Sequence, residues 1–160
     1  MTNHTSLVVS SEIPDCLSIK LIDQAYEATC RALKWQPSGQ VLLAFVTKQQ
    51  IRKFNKQYAD NNYATDVLSF SYNDNNDNLL NKSMKNHLAE GEIIICPAIA
   101  NNNAIKHQVS LESELILLLV HGLIHLSGAD HQKYNDQTSF ASLQNGIMKT
   151  LKLNFHPMIW

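Results

Sequence analysis

The sequence predicts an α+β fold: a single domain with a mixed sheet of about four strands, helices packed on it and a buried central helix. Two observations support this prediction. Short apolar runs typical of strands alternate along the chain with segments of helical periodicity. One helical segment, residues 115–126, is apolar on almost every side, which is typical of a buried helix. The 160 residues suffice for one domain that buries about two-thirds of its unfolded surface.

The first half of the chain predicts two strands, each followed by a helix. Residues 6–10 have the composition of a short strand, and residues 17–34 have the spacing of an amphipathic helix. The apolar stripe of that helix is predicted to comprise Leu17, Leu21, Ala25, Ala28 and Ala32, with Ile22, Tyr26 and Leu33 beside it. The apolar run at 41–46 is typical of a strand buried on both faces. Thr47 is expected to cap a second helix that ends near Tyr58.

The rest of the chain, from residue 66 onwards, predicts two further strands and three helices. The strands are expected at 66–72 and 91–96, joined by a long connection that is rich in asparagine. Pro97 suits the first turn of a helix that ends near residue 107. Ser110 is expected to cap the helix that contains the long apolar run, and Asn135 a final helix over 136–153. The buried stripe of this last helix is predicted to be Phe140, Leu143, Ile147 and Leu151.

Composition and charge restrict the class of protein. The formal net charge of -1 is not that of a general nucleic-acid binder, so any RNA contact must depend on a local patch. The chain has three cysteines, which are far apart, and this spacing argues against a disulfide framework and favours a reducing compartment. The N-terminus lacks a signal-peptide pattern, and the apolar run before His121 is too short to span a membrane. These features predict a cytoplasmic domain.

Three of the seven histidines, His121, His125 and His131, lie close together in the sequence. His121 and His125 are four residues apart, so they point from one helix face. Gly128 can adopt the left-handed conformation that ends a helix, and His131 is then expected to turn back towards the pair. Three converging imidazoles can bind one zinc ion and leave a fourth position open to water, as in catalytic sites. Imidazole ligands also suit nickel and other divalent ions.

A lone histidine on an apolar face is more often a core residue with a hydrogen-bond partner than a metal ligand. Burying several imidazoles without partners costs about 1–3 kcal/mol each, and a metal removes that cost. The spacing therefore favours a metal site. The other histidines, His4, His87, His107 and His156, are expected at the surface. Glu114 lies seven residues before His121, too far for direct contact along a helix.

The histidine segment resembles the signature of the YbeY family of rRNA-maturation endoribonucleases, His-Gly-x-x-His-Leu-x-Gly-x-Asp-His. It matches at His121, Gly122, His125, Leu126, Gly128, Asp130 and His131. Thr65-Asp66-Val67-Leu68-Ser69-Phe70 and Gly91-Glu92-Ile93-Ile94-Ile95 are similar to two strands of that family, and the resemblance covers roughly residues 40 to 132. It implies that residues 1–160 form one metal-dependent hydrolase domain with one zinc ion. The implied substrates are single-stranded and ribosomal RNA, and the implied roles are rRNA maturation and ribosome quality control at the small ribosomal subunit.

Three positions depart from the family pattern. Ala59 follows Tyr58 where an arginine is usual, Ala64 stands in place of a proline, and Ala129 in place of an aromatic residue. The forked guanidinium of an arginine can grip a phosphate, which alanine cannot do. An aromatic side chain can stack on an RNA base. The alternative hypothesis is therefore a catalytically weakened, zinc-containing ribosome-assembly factor that binds RNA without cleaving it.

The residue after the first histidine distinguishes this motif from that of zinc peptidases. Zinc peptidases carry a glutamate there as general base, whereas this chain has Gly122. Phosphodiester chemistry is therefore favoured over a zinc hydrolase of another substrate class. The glycine is also expected to leave room for a substrate.

Three further groups of residues have either a role at the site or a purely structural one. Asp130 is expected to orient a ligand histidine, or else only to cap a turn. Thr65 and Asp66 are expected near the site, or else to fix a loop. The predicted second helix carries a basic ridge that comprises Lys48, Arg52, Lys53 and Lys56. This ridge is either an RNA-binding surface or an ordinary solvated face.

Overall fold

The computed structural model describes residues 7–72, 89–129 and 137–157, and the strands in these residues form one sheet. The strands are β1 (Leu7–Val9), β2 (Gln40–Phe45), β3 (Val67–Ser71) and β4 (Ala89–Ile95). Their order in the sheet is β1-β2-β4-β3. β2 pairs in parallel with both β1 and β4, whereas β3 pairs antiparallel with β4. The predicted four-stranded mixed sheet is confirmed.

The described residues contain five helices: α1 (Ile19–Leu33), α2 (Lys48–Ala59), α3 (Pro97–His107), α4 (Leu111–Leu126) and α5 (Gln137–Thr150). Two of the predicted helix N-caps, Thr47 and Ser110, lie in the described residues, and both are confirmed. Thr47 forms a capping box with Gln50, and the Ser110 side chain accepts a hydrogen bond from the Ser113 amide. The predicted cap Asn135 and most of the connection at 73–90 lie outside the described residues.

The helices cover the two faces of the sheet unequally. Successive side chains of a strand point to opposite faces. Ile93 and Ile95 of β4 join the large core that contains α1, α4 and α5. Ile94, on the other face, packs with Ile51 of α2 in a smaller cluster. Helices α4 and α2 therefore lie on opposite faces of the sheet.

Helix α4 is the buried central helix that the sequence predicted. From Leu115 to Leu126 every residue is buried except His121, which is partly exposed, and His125, which is exposed. Each fully buried leucine or isoleucine contributes about 1.5–3 kcal/mol relative to an exposed side chain. The helix is therefore held mainly by apolar burial, and its two histidines form the only break in that burial between these two leucines.

The buried faces of two helices differ from the predicted stripes. In α5 the buried side chains are Phe140, Ala141, Gln144, Ile147 and Met148, whereas Leu143 is only partly buried and Leu151 lies just beyond the helix. In α1 the buried residues are Ile22, Ala25, Tyr26 and Thr29. Periodicity favours apolar positions, but a polar side chain can be buried when a neighbour satisfies it. The Thr29 hydroxyl donates to the Ala25 carbonyl at 2.8 Å, and Gln144 contacts a histidine.

Two further predictions concern the cysteines and the possibility of a membrane-spanning helix. Cys16, Cys30 and Cys96 are all free, as their spacing predicted. Among the described helices, none is by itself long and apolar enough to cross a membrane. Helices α3 and α4 together meet the length and composition criteria, but they are bent by 113° relative to each other.

Candidate metal centre at the end of helix α4

The two histidines of α4 converge at the exposed end of the buried helix. The Nε2 atoms of His121 and His125 are 3.0 Å apart. Their rings lie edge to face, with centroids 4.6 Å apart and an interplanar angle of 70°. Both rings come from the same helix face because they are separated by about one turn. The four-residue spacing of the two histidines therefore brings their Nε2 atoms to within 3.0 Å of each other.

Gln144 of α5 contacts the ring of His121. Its Oε1 atom lies 2.9 Å from His121 Nδ1, and the glutamine is 1% exposed. An amide oxygen can only accept a hydrogen bond, so this contact favours the His121 tautomer that carries hydrogen on Nδ1. Nε2 then presents a lone pair towards His125. The sequence analysis missed this residue, although a glutamine among the apolar residues of a predicted helix was an available signal.

Phe140 forms an apolar wall beside both imidazoles. Its ring centroid is 5.2 Å from that of His121 and 5.0 Å from that of His125. Phe140 was predicted for the buried stripe of α5, and this burial is confirmed. Its contact with the histidines depends on how α5 packs against α4. The phenylalanine restricts rotation of the rings and excludes water from one side of them.

The histidine pair fits two of the ligands of a divalent ion. Zinc binds imidazole nitrogen at about 2.0–2.1 Å in tetrahedral geometry, which separates two ligand nitrogens by about 3.3 Å. The 3.0 Å spacing is close to this value. Gly128 has φ of 72°, the left-handed conformation that was predicted to end the helix. Within 7–72, 89–129 and 137–157, no three metal-binding side chains converge. Asp130 and His131 lie outside these ranges, so the three-histidine set stays a prediction.

Gly122 does not face the site. A Cβ atom at this position would lie 2.9 Å from Ile93 Cγ2 and 3.1 Å from Ser69 Oγ. The expectation that this glycine leaves room for a substrate is therefore wrong, because position 122 is turned about 100° from His121 around the helix and faces the sheet. In this packing a larger side chain that directly followed His121 would enter the core.

Thr65 and Asp66 lie just before β3, and Asp66 contacts α3. The Thr65 hydroxyl donates to Asp66 Oδ1 at 3.3 Å, and Asn103 Nδ2 donates to Asp66 Oδ2 at 2.9 Å. The charge of Asp66 also acts on Glu114, in the first turn of α4. Among the described contacts, these two residues therefore link β3 to α3 near the end of α4 that is farther from the histidine pair.

A second cluster of titratable side chains surrounds Glu114. Burial raises the pKa of the Glu114 carboxyl and Asp66 raises it further, whereas His156 lowers it. His107 Nδ1 lies 3.8 Å from Glu114 Oε2, and the His107 ring stacks on His156 with centroids 4.4 Å apart. The expectation of a surface position is therefore wrong for His107, which is partly buried because α4 packs against it. His156 is exposed as expected, and His4 and His87 lie outside the described residues.

The basic ridge of α2 lies on the opposite face of the sheet from the histidine pair. All four of its side chains are exposed. Arg52 Nε donates to Asn62 Oδ1 at 3.0 Å, which links the ridge to the loop after α2. The structure therefore does not place the ridge next to the histidines, and its role in binding RNA stays a prediction.

Comparison with known proteins identifies the family. The family model described as Endoribonuclease YbeY matches residues 9–152. Relatives named Endoribonuclease YbeY include one from Phytoplasma australiense, 34% identical over 94% of this chain and 93% of the relative. Another, from Buchnera aphidicola subsp. Baizongia pistaciae, is 35% identical over 73% of this chain and 71% of the relative.

The fold has a counterpart among solved structures. The solution structure of a Thermotoga maritima protein matches 91% of this chain and 88% of that protein, with a TM-score of 0.56 and 24% identity. At this identity the match supports the fold alone. The family model and the relatives agree with the resemblance at residues 121–131, and the chain therefore belongs to the YbeY endoribonuclease family, which is a family of nuclease hydrolases.

Proposed function

We propose that this protein is a zinc-dependent endoribonuclease that cleaves single-stranded RNA during ribosomal RNA maturation and ribosome quality control. The observation that carries the proposal is the 3.0 Å approach of the His121 and His125 Nε2 atoms at the one exposed part of a buried helix. Family membership supplies the class of reaction, and the imidazole pair supplies a place for the ion. His131 is proposed as the third ligand.

The protein's own side chains have distinct tasks at this site. His121 and His125 donate nitrogen lone pairs, Gln144 holds one ring in place, and Phe140 keeps water from one side of both rings. Asp130 is proposed to orient a ligand histidine. When bound, zinc supplies a water nucleophile at neutral pH and polarises a phosphoryl oxygen. A glutamate base of the peptidase type is not available at position 122, which favours phosphodiester over peptide substrates.

The basic ridge is proposed to hold the RNA backbone. Its four exposed cations carry charge that is complementary to phosphates, although the protein as a whole has a net charge of -1. Because β3 is an edge strand and Gly122 of α4 packs against Ser69 of β3, this edge is the proposed route between the two surfaces. A flexible single strand can bend around such an edge more easily than a duplex can. The small ribosomal subunit is proposed as the particle that presents this RNA in the cytoplasm.

One observation favours a second candidate, a ribosome-assembly factor that binds zinc and RNA but cleaves poorly. Ala59, the last residue of α2, is exposed at the position where the family usually carries an arginine. Without a guanidinium there, the chain has one fewer group to hold a scissile phosphate. Binding to small-subunit particles without cleavage of single-stranded RNA would support this candidate.

The test combines metal analysis with cleavage. Protein purified without an affinity tag is analysed for bound metals and assayed on single-stranded RNA, before and after treatment with a chelator. We expect about one zinc ion per chain and cleavage that is lost with the metal and restored by zinc. His125→Ala should lose both, whereas the control His156→Ala, at an exposed histidine outside the site, should keep both. RNA cleavage that persists without any metal, or cleavage of peptides alone, would contradict the proposal.

A further inference from the structure

A contact at hydrogen-bond distance between two helices joins His121 to Gln144. His121 belongs to α4 and Gln144 to α5, and Oε1 of the glutamine lies 2.9 Å from Nδ1 of the histidine. A neutral His121 donates to this oxygen when its hydrogen is on Nδ1. The same tautomer leaves a lone pair on Nε2, the atom that faces His125 at 3.0 Å.

Gln144 is a polar side chain on the buried face of α5, where apolar side chains would be sufficient for packing. The residue is 1% exposed, and over residues 139–150 of α5 the other buried residues are Phe140, Ala141, Ile147 and Met148. A methionine would fill a similar volume there without a polar group to satisfy. A buried amide that loses its partner costs about 1–3 kcal/mol. The contact with His121 helps to offset this cost.

We infer that Gln144 is a positioning residue that holds His121 in the tautomer and ring orientation needed to bind the metal ion. This inference rests on the proposed function, because it concerns the same site. Groups that accept a hydrogen bond from the second nitrogen of a ligand histidine typically contribute a factor of about 10–100 to metal affinity. Without the acceptor, His121 can place its proton on Nε2, where it blocks binding and points at His125.

Three variants test the inference. Gln144→Met removes the acceptor and keeps the volume, and Gln144→Glu keeps an oxygen acceptor at the same reach. Gln144→Asn retains the amide, but its side chain is one methylene shorter, so the oxygen no longer reaches His121 Nδ1. This variant replaces Gln144→Met if the methionine variant does not fold. Leu143→Met is the matched control, because this residue is partly buried on the same helix and the substitution conserves volume.

The first measurement uses metal-free protein and no RNA. Nitrogen NMR of the histidine rings should show hydrogen on Nδ1 of His121 in the parent protein, in Gln144→Glu and in Leu143→Met. Gln144→Met should lose this tautomer preference. Because the measurement requires neither zinc nor cleavage, its result is independent of whether the protein is a nuclease.

The second measurement is the dissociation constant for zinc, obtained by competition with a chelator. Gln144→Met should bind zinc about 10- to 100-fold more weakly than the parent, and Gln144→Glu should bind at least as tightly. Retention of the Nδ1 tautomer in Gln144→Met overturns the inference, as does zinc affinity within about threefold of the Leu143→Met control. Absence of RNA cleavage in the parent protein, with these two results as expected, overturns only the proposed function.

Discussion

Gly122 of α4 lies so close to Ile93 of β4 that a Cβ atom on the glycine would come within 2.9 Å of the isoleucine Cγ2. Ile93 is completely buried, so it has little room to move. This contact sets how closely the helix with the two histidines approaches the sheet.

Gly122→Ala should therefore destabilise the protein, although alanine is the better helix former by about 1 kcal/mol. Crowding in a packed core typically costs about 1–3 kcal/mol, which exceeds that gain. Urea unfolding measures the difference. The control is Gly146→Ala on α5, where a Cβ atom would meet nothing within 4 Å. The control should gain about 0.5–1 kcal/mol. Equal stabilisation by both substitutions would show that the contact with Ile93 is not limiting.

Restoring an arginine at position 59 should increase RNA cleavage. Ala59 is exposed at the end of α2, so a longer side chain can be accommodated there. A guanidinium that grips the scissile phosphate in the transition state should raise kcat/KM by about tenfold or more, which corresponds to about 1.4 kcal/mol. Steady-state cleavage of a fluorescent single-stranded RNA measures this change.

Ala59→Lys is the matched comparison, because it adds the same charge without the forked geometry. It should give a smaller gain than the arginine. No gain from the arginine would mean that position 59 does not limit the activity of this chain.

Removing charge from the basic ridge should weaken RNA binding and reduce its dependence on salt. For single strands, each lost phosphate contact lowers the slope of log affinity against log salt concentration by about 0.7. Lys53→Gln and Lys56→Gln should each show part of this effect in a fluorescence anisotropy titration. Lys149→Gln, an exposed lysine on α5, is the control. If the control reduces the slope as much as the ridge variants do, the ridge is not the RNA-binding surface.

The stability of the fold should fall as pH rises above the ordinary pKa of a glutamate, in part because of Glu92. Burial raises the pKa of the Glu92 carboxyl above its ordinary range, although the hydrogen bond from the Tyr72 hydroxyl opposes the shift. The folded state therefore keeps a proton that the unfolded state releases. The stabilisation is complete below the ordinary pKa of a glutamate and is lost as pH rises through the higher folded-state pKa.

Glu92→Gln should reduce this loss, because the amide oxygen still accepts from Tyr72 but carries no charge to bury. Denaturant unfolding at a series of pH values compares the variant with the parent and with Glu12→Gln at an exposed position. If the free energy of unfolding depends on pH in the same way in the parent and in Glu92→Gln, the Glu92 carboxyl does not cause this pH dependence.

Much of the fold could be predicted because it depends on local patterns. The capping box at Thr47 and the cap at Ser110 follow from neighbouring residues. The burial of α4 follows from the long apolar run that precedes His121. The buried face of α5 was less predictable, because the apolar pattern assigned Leu143 to it and passed over the polar Gln144, which lies on the same helix face as Phe140 and Ile147.

By itself, the sequence determined that His121 and His125 share one face of a buried helix, since a spacing of four residues fixes this in any α-helix. Only the tertiary structure decided that Gln144 meets His121, that Gly122 faces the sheet and that the basic ridge lies on its other face. These relationships join segments far apart along the chain. They depend on how helices rotate and pack as rigid units, which no local pattern specifies.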